Sequence, residues 1–155
     1  MLKERIRNDL SRALKEGNQT MLSTLRLLLS AILNKEIDKK FKEKAEGQPE
    51  LTDEEIISVI ASEVKKRKEA VLEFGNAGRK DLADKEKAEA EILQAYLPQQ
   101  LSIEEVRAII QEAIIKTGAS SVKEMGKVMA ELAPKIKGRA DGSEVSRIVK
   151  ELLSS

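Results

Sequence analysis

The sequence predicts an all-α protein, and three observations carry that prediction. Apolar residues recur every three or four positions along nearly the whole chain, which is the spacing of one face of a helix. Ser, Thr or Asp repeatedly precedes Glu by three residues, as in a helix N-terminal capping box. No stretch alternates like a strand. We expect a larger N-terminal helical bundle over residues 1–97 and a smaller C-terminal three-helix domain over residues 98–155, with Tyr96–Gln100 as the hinge.

The N-terminal bundle is expected to begin with two helices. The first carries an apolar stripe from Leu2 to Leu14. The second, which Asn18 caps, is apolar around more than half of its circumference, so it should be the central helix with neighbours on several sides. Residues 39–51 are charged and contain a glycine and a proline, which predicts a mobile loop.

Two further helices complete this bundle. A capping box at Thr52–Glu55 predicts the start of the third helix, whose stripe runs from Ile57 to Phe74. The fourth helix is expected from about Asp81. It should end before Pro98, since proline disfavours helical geometry in the residue before it.

The C-terminal domain shows three shorter helices. Capping boxes are predicted at Ser102–Glu105 and Ser121–Glu124, and Asp141–Glu144 has the same spacing. Gly118 stands where a C-terminal cap belongs. Gly126 lies inside a helical pattern, where glycine costs about 1 kcal/mol relative to alanine. A close approach of a second helix or of a ligand is therefore expected at Gly126.

Composition excludes several classes of site. The chain has no Cys and no His, which excludes disulfides, zinc-finger sites and Cys or His catalysis, and we expect no metal and no cofactor. The longest apolar stretch, Met21–Leu33, is too short to span a bilayer and contains Arg26. The 28 cations and 27 anions nearly balance, which favours solvated helix faces. These features predict a cytoplasmic protein without a membrane partner or a catalytic centre of its own.

Charged side chains interrupt two of the apolar stripes. Arg67 lies on the third helix, and Glu86 and Glu89 lie on the fourth. Because a short connection makes these helices antiparallel neighbours, Arg67 is expected to meet Glu86 or Glu89. One interpretation is a carboxylate pair for acid–base chemistry. The favoured interpretation is a partly buried ion pair that fixes the helix register, since no second reactive group accompanies it.

A single arginine, Arg26, stands on the apolar central helix. One interpretation is that it binds a phosphate or a partner's carboxylate. The favoured one is structural, either a pair with Glu36 or Glu63 or a side chain that reaches water along the surface.

The strongest candidate for ligand binding is the junction of the last two helices. Residues 134–150 hold five cations against two anions. If the loop folds back, four cations can converge on one side: Lys127, Lys135, Lys137 and Arg139. Glycines let backbone N–H groups approach an anion there. The N-terminus of the last helix adds its dipole, although Asp141 competes for that end. The alternative is a solvated turn, and the residues alone do not separate the two. The candidate RNA-binding residues are Gly126, Lys127, Lys135, Lys137, Gly138, Arg139, Asp141 and Gly142.

Over essentially its whole length the chain resembles the YqeY family. The matching segments are Ser23–Ile32 (STLRLLLSAI), Tyr96–Leu101 (YLPQQL), Met125–Met129 (MGKVM) and Lys137–Gly142 (KGRADG). The second half is also similar to the C-terminal tail of the B subunit of the glutamine-dependent aspartyl/glutamyl-tRNA amidotransferase, a tail that helps to hold tRNA. The resemblance implies an all-helical fold with a larger N-terminal bundle and a smaller C-terminal one. It also implies a tRNA-facing or fold-defining role for Gly126, Lys127, Gly138, Asp141 and Gly142.

Three functions follow as hypotheses. The first, which is preferred, is a non-catalytic RNA-interaction module, for tRNA in particular, that contacts phosphates and the shape of the RNA. The second is an accessory component of a carbon–nitrogen ligase with glutamine as amido donor, acting with amidotransferase subunits. The third is a helical protein–protein adaptor.

Overall fold

A computed structural model describes residues 1–44, 46–47 and 49–154, and these residues form seven α-helices and one turn of 3₁₀-helix without any strand. The all-α prediction is confirmed. Contacts divide the chain into two compact units, Met1–Leu97 (unit 1) and Pro98–Ser155 (unit 2).

The part of unit 1 that the structure describes forms four helices whose apolar faces share one core. They are α1 (Leu2–Glu16), α2 (Gln19–Glu43), α3 (Asp53–Asn76) and α4 (Lys80–Gln94). α3 packs along α4, α1 packs on α2, and α2 also contacts α3 and α4. Among the described residues of this unit, ten buried side chains form the core: Ile6, Leu25, Leu28, Ile32, Leu51, Ile56, Ile60, Val64, Leu93 and Tyr96.

The second helix is longer than the sequence predicts. α2 continues to Glu43, and Lys44 ends it in the left-handed region with φ 48°. The first part of the predicted loop over residues 39–51 is therefore helical, because the lysine and glutamate side chains of this run favour a helix even where little is buried. Residues 45 and 48 of that loop lie outside the described residues. α2 has neighbours among three helices, yet Leu27 and Phe41 remain exposed on it.

Tyr96 joins the end of α4 to α1. Its hydroxyl donates to Asp9 Oδ2 at 2.5 Å, and Asp9 also accepts from Arg12 at 2.7 Å. The guanidinium of Arg5 lies 4.9 Å from the centre of the tyrosine ring. Burial, together with the neighbouring Asp9 carboxylate, raises the pKa of Tyr96 above its ordinary value. The phenol is therefore held as a neutral hydrogen-bond donor.

Two of the predicted capping boxes are confirmed. Thr52 Oγ1 accepts from Glu55 N at 3.2 Å, and the Glu55 carboxylate accepts from Thr52 N at 2.7 Å. Ser102 and Glu105 make the same pair of bonds, at 3.1 and 2.8 Å. Each box satisfies two backbone N–H groups that the first helical turn leaves without a partner. The boxes therefore determine where α3 and α5 begin.

Unit 2 contains α5 (Ile103–Thr117), α6 (Met125–Ile136) and α7 (Gly142–Ser154), with the 3₁₀ turn at Val122–Glu124. Gly118 ends α5 with φ 68°, as the sequence predicts. Over residues 98–154, eleven buried side chains form the core of this unit: Val106, Ile110, Ala113, Ala119, Val128, Leu132, Ile136, Val145, Ile148, Val149 and Leu153.

The start of α6 differs from its prediction. Ser121 makes no side-chain cap, so the capping box predicted at Ser121–Glu124 is wrong. The Glu124 carboxylate instead accepts from the backbone N and the hydroxyl of Ser120, at 2.7 and 3.2 Å. The bonding is thus shifted by one residue, and a 3₁₀ turn precedes the α-helix.

Candidate nucleic-acid interface

The α6–α7 loop is bound to the segment that begins unit 2. Leu101 N donates to Arg139 O at 2.9 Å, and Gln100 Nε2 donates to Gly138 O at 2.7 Å. Arg139 Nε donates in the opposite direction, to Gln99 O at 3.2 Å. These three bonds, between Gln99–Leu101 and Gly138–Arg139, are the loop clasp. The loop therefore has a defined backbone path.

The local conformation of the loop follows from its residue types. Gly138 has φ 72°, in the left-handed region that favours glycine. Arg139 N donates back to Ile136 O at 2.8 Å. Asp141 Oδ1 accepts from Ser143 N at 2.9 Å at the beginning of α7. Because the Asp141 carboxylate already lies at the N-terminus of α7, this helix end is less suited to a phosphate than the sequence suggests.

The structure does not bring all the candidate RNA-binding cations together at the α6–α7 loop. Lys127 lies in the first turn of α6 and Lys135 in its last, about 12 Å apart along the helix axis. Lys127 Nζ lies 4.0 Å from Glu124, and Lys135 Nζ lies 3.8 Å from Glu131. Each lysine thus has a local acid, and Lys127 stands apart from the loop.

Lys137 and Arg139 have a different electrostatic environment. Lys137 is exposed and Arg139 is half-buried. Neither makes an ion pair with a carboxylate of the described residues. The loop clasp uses Nε of Arg139, which leaves the two terminal nitrogens of the guanidinium for a ligand.

The two helical glycines of the candidate set are in open positions. A Cβ added at Gly126 or at Gly142 would meet no neighbouring atom within 4 Å. The expectation that a second helix approaches Gly126 closely is therefore wrong. The prediction of a ligand at this glycine stays a prediction.

The charged side chains that interrupt the apolar stripes form an ionic cluster between α3 and α4. Arg67 and Glu89 are buried, and Arg67 Nε donates to Glu89 Oε2 at 3.2 Å. Arg67 Nη1 donates to the carboxylate and the carbonyl of Glu63, at 2.8 and 3.1 Å. Glu86 is half-buried and is not among the carboxylates that Arg67 contacts in the described part of the chain. With its carboxylates bonded to a permanent cation, the cluster suits a structural role better than proton transfer.

The pKa of Glu63 reflects two opposing influences. Burial by itself would raise it, but hydrogen bonds from Arg67 and Lys66 outweigh burial and hold the pKa of Glu63 below its ordinary value. Glu63 therefore stays ionised beside its two cations.

Arg26 pairs with neither of its expected partners. Glu36 is buried and accepts from Lys3 Nζ at 2.6 Å, while Glu63 belongs to the cluster just described. Arg26 is exposed and makes no ion pair within the described residues. Its guanidinium therefore remains on the surface of α2.

Several kinds of site are absent from the part of the chain that the structure describes. Over residues 1–44, 46–47 and 49–154, no group of three or more His, Cys, Asp or Glu side chains could hold a metal ion. Within the same ranges, no helix combines the length and apolar character needed to cross a membrane. The loop clasp itself was not foreseen from sequence, because its side-chain bond from Gln100 reaches 38 residues along the chain and leaves no local pattern.

Known proteins provide the remaining evidence. Residues 3–153 match the family model described as Yqey-like protein. The chain is 30% identical, over 97% of its length and 80% of the relative's, to "Altered inheritance of mitochondria protein 41, mitochondrial" of Pyrenophora tritici-repentis. A protein of the same name from Kluyveromyces lactis is 34% identical over 59% of this chain and 45% of its own. A Schizosaccharomyces pombe protein whose name calls it uncharacterized is 33% identical over 63% of this chain and 72% of its own.

These relatives correct one prediction. Two of them carry names that place them in mitochondria, which contradicts the cytoplasmic location expected from composition. The absence of Cys does not distinguish one compartment from another. The family itself is shown by a match that extends over almost every residue: this protein belongs to the YqeY family.

Proposed function

We propose that this YqeY-family protein is a non-catalytic RNA-interaction module that holds tRNA through phosphate contacts. The observation that carries the proposal is the α6–α7 loop. There, Lys137 and Arg139 flank the turn at Gly138 without a carboxylate partner among the described residues. A cation that no nearby acid neutralises has the most to gain from a phosphate.

The loop clasp supports this proposal through preorganisation. A guanidinium held by Nε has less freedom to lose when its terminal nitrogens bind a phosphate. Lys135 is exposed two residues before Lys137, and we include it with Lys137 and Arg139 in the proposed phosphate-binding patch, although Glu131 at 3.8 Å weakens its contribution. Lys127 is outside the patch, and Asp141 accepts from Ser143 N at the start of α7 and makes no phosphate contact in this proposal.

The contacts should involve phosphates and not stacked bases. All three aromatic residues, Phe41, Phe74 and Tyr96, belong to unit 1, and residues 98–155, which include the loop, contain no aromatic residue. Stacking platforms for bases need exposed aromatic side chains. A tRNA held in this way would be presented to an enzyme supplied by another protein, which is the role of an accessory component of a carbon–nitrogen ligase.

The test measures the binding of fluorescein-labelled tRNA by fluorescence anisotropy. Three phosphate contacts predict a slope of log K against log salt of about −2 to −3. Between about 50 and about 200 mM KCl the affinity should therefore fall roughly 20- to 40-fold.

The decisive variant is Lys135→Ala/Lys137→Ala, which removes two contacts and leaves the loop clasp in place. It should bind about tenfold more weakly at the lower salt, with a slope smaller by about 1.4 to 1.8. The matched control, Lys123→Ala/Lys127→Ala, removes the same charge from unit 2 at the far end of α6 and should bind as the wild type does. The proposal fails if tRNA does not bind, or if both variants lose equal affinity.

A further inference from the structure

The outward face of α2 is exposed although much of it is apolar. Leu27, Leu33, Ile37 and Phe41 are 55%, 48%, 43% and 78% exposed. Single exposed apolar residues are ordinary, but four on one face of one helix are typical of an interaction surface. This surface, the α2 face, consists of seven exposed residues: Ser23, Leu27, Ser30, Leu33, Asn34, Ile37 and Phe41.

The spacing of the α2 face is that of a coiled-coil seam. From Ser23, the exposed positions 27, 30, 34, 37 and 41 follow in alternating steps of four and three residues. A helix with this spacing packs along a second helix, here over about 27 Å. Ser30 and Asn34 lie at the centre, where they permit close approach and fix the register of a partner helix. A lipid surface would gain nothing from these polar side chains, so the seam favours a helix as the occupant.

Cations border the α2 face on one edge. Arg26 and Lys40 are exposed, lie about 21 Å apart along the helix, and make no ion pair within the described residues. Asp38 is the exposed acid on the opposite edge.

Beside the face, a recess of about 370 Å³ lies between α1 and α2, where Arg7 and Leu33 are among the lining residues. The two acids of the recess, Glu36 and Glu50, lie 2.6 and 4.0 Å from Lys3. The cationic edge of the face is therefore not offset by these acids.

A second copy of the chain would fit this face poorly. In an antiparallel pair of α2 helices the same edges meet, so Arg26 of one copy would oppose Lys40 of the other. In a parallel pair, the cationic edge would face the edge that carries Asp38, a single acid for two cations. Like charges placed opposite each other disfavour association.

We infer that the α2 face binds an amphipathic helix of another protein whose apolar seam is bordered by acidic side chains. The apolar residues supply the buried area, and Arg26, Lys40 and Arg7 select for acids. This surface belongs to unit 1 and is independent of the RNA contact proposed for unit 2.

The test uses two designed helical peptides of about 21 residues, three heptads long. Both carry Leu at the seam positions; one has Glu and the other Lys at the flanking positions. Each is labelled with fluorescein and titrated with the full chain. The acidic peptide should bind at least about tenfold more tightly than the basic one.

Variants of exposed residues locate the binding without disturbing the core. Ile37→Ser/Phe41→Ser should weaken binding of the acidic peptide by about tenfold or more. Leu72→Ser is the matched control, because Leu72 is 70% exposed but lies on α3, and it should bind as the wild type does. Arg26→Glu/Lys40→Glu should reverse the preference between the two peptides.

The inference is overturned if the acidic peptide does not bind, if both peptides bind alike, or if Ile37→Ser/Phe41→Ser has no effect. Two other results also overturn it by naming a different occupant. A dimer in sedimentation that dissociates in the same variant identifies a second copy. Variant-sensitive binding to phosphatidylserine–phosphatidylcholine vesicles identifies a membrane surface.

Discussion

The ionic cluster between α3 and α4 can be tested by removing its cation. Arg67→Met keeps much of the apolar stem and removes the guanidinium. The Glu89 side chain, 9% exposed, then loses the cation at 3.2 Å. A buried charge stripped of its partner costs about 3–5 kcal/mol in the free energy of unfolding. Because Glu63 keeps its bond to Lys66 at 3.0 Å, we expect a loss near 3 kcal/mol, the lower end of that range.

Two further variants separate the buried pair from ordinary surface charge. Lys66→Met removes a partner of Glu63 whose side chain is 68% exposed, and it should cost less than about 0.5 kcal/mol. Arg67→Met/Glu89→Met removes both buried charges and should recover most of the loss, because no unpaired carboxylate remains. Urea unfolding followed by circular dichroism at neutral pH measures all three.

Acid titration gives a second readout of the same cluster. The pKa of Glu63 is lower in the folded protein than its ordinary value. Such a carboxyl stabilises the fold above its unfolded pKa, about 4.3, and the contribution is lost as the pH falls through the folded pKa. In Arg67→Met the melting temperature should therefore fall less steeply on acidification. A cost below about 1 kcal/mol for Arg67→Met, or a double variant no more stable than the single one, would refute this account of the register.

Three other stability predictions use the same urea assay. Tyr96→Phe should lower the free energy of unfolding by about 1–2 kcal/mol because the bond to Asp9 is lost. This difference should shrink in alkali as Tyr96 itself ionises. An unchanged urea midpoint would contradict the bond. Ser102→Ala should lower the free energy of unfolding by about 1 kcal/mol, whereas Ser121→Ala should change it by less than about 0.5 kcal/mol. Equal losses would mean that Ser121 does cap its helix. Gly126→Ala should stabilise by about 0.5 kcal/mol, since its Cβ meets no neighbour, and a loss would reveal a contact there.

Local signals predicted much of this fold. The boxes at Thr52 and Ser102 involve partners three residues away, so a sequence pattern contains all the information they need. At Ser121 the same pattern failed because Ser120 competes for the Glu124 carboxylate and binds it with two donors. The spacing alone does not show which of two neighbouring donors is better placed.

Long-range features were harder to predict. The central position of α2 was expected from its composition, but composition does not tell how many neighbours a helix has, and one face stays exposed. Convergence of Lys127 with the loop cations was expected from charge density, whereas the rise along α6 separates Lys127 from Lys135. The bond from Gln100 to Gly138 depends on how unit 2 closes, which periodicity does not encode.

The placement of Tyr96 has a practical consequence for spectroscopy. The chain has no Trp and one Tyr, so ultraviolet emission comes almost entirely from a phenol packed within unit 1. Far-ultraviolet dichroism, in contrast, arises from the helices of both units. Two melting curves recorded on one sample would thus show whether the halves of the molecule lose structure together, without any label or engineered reporter.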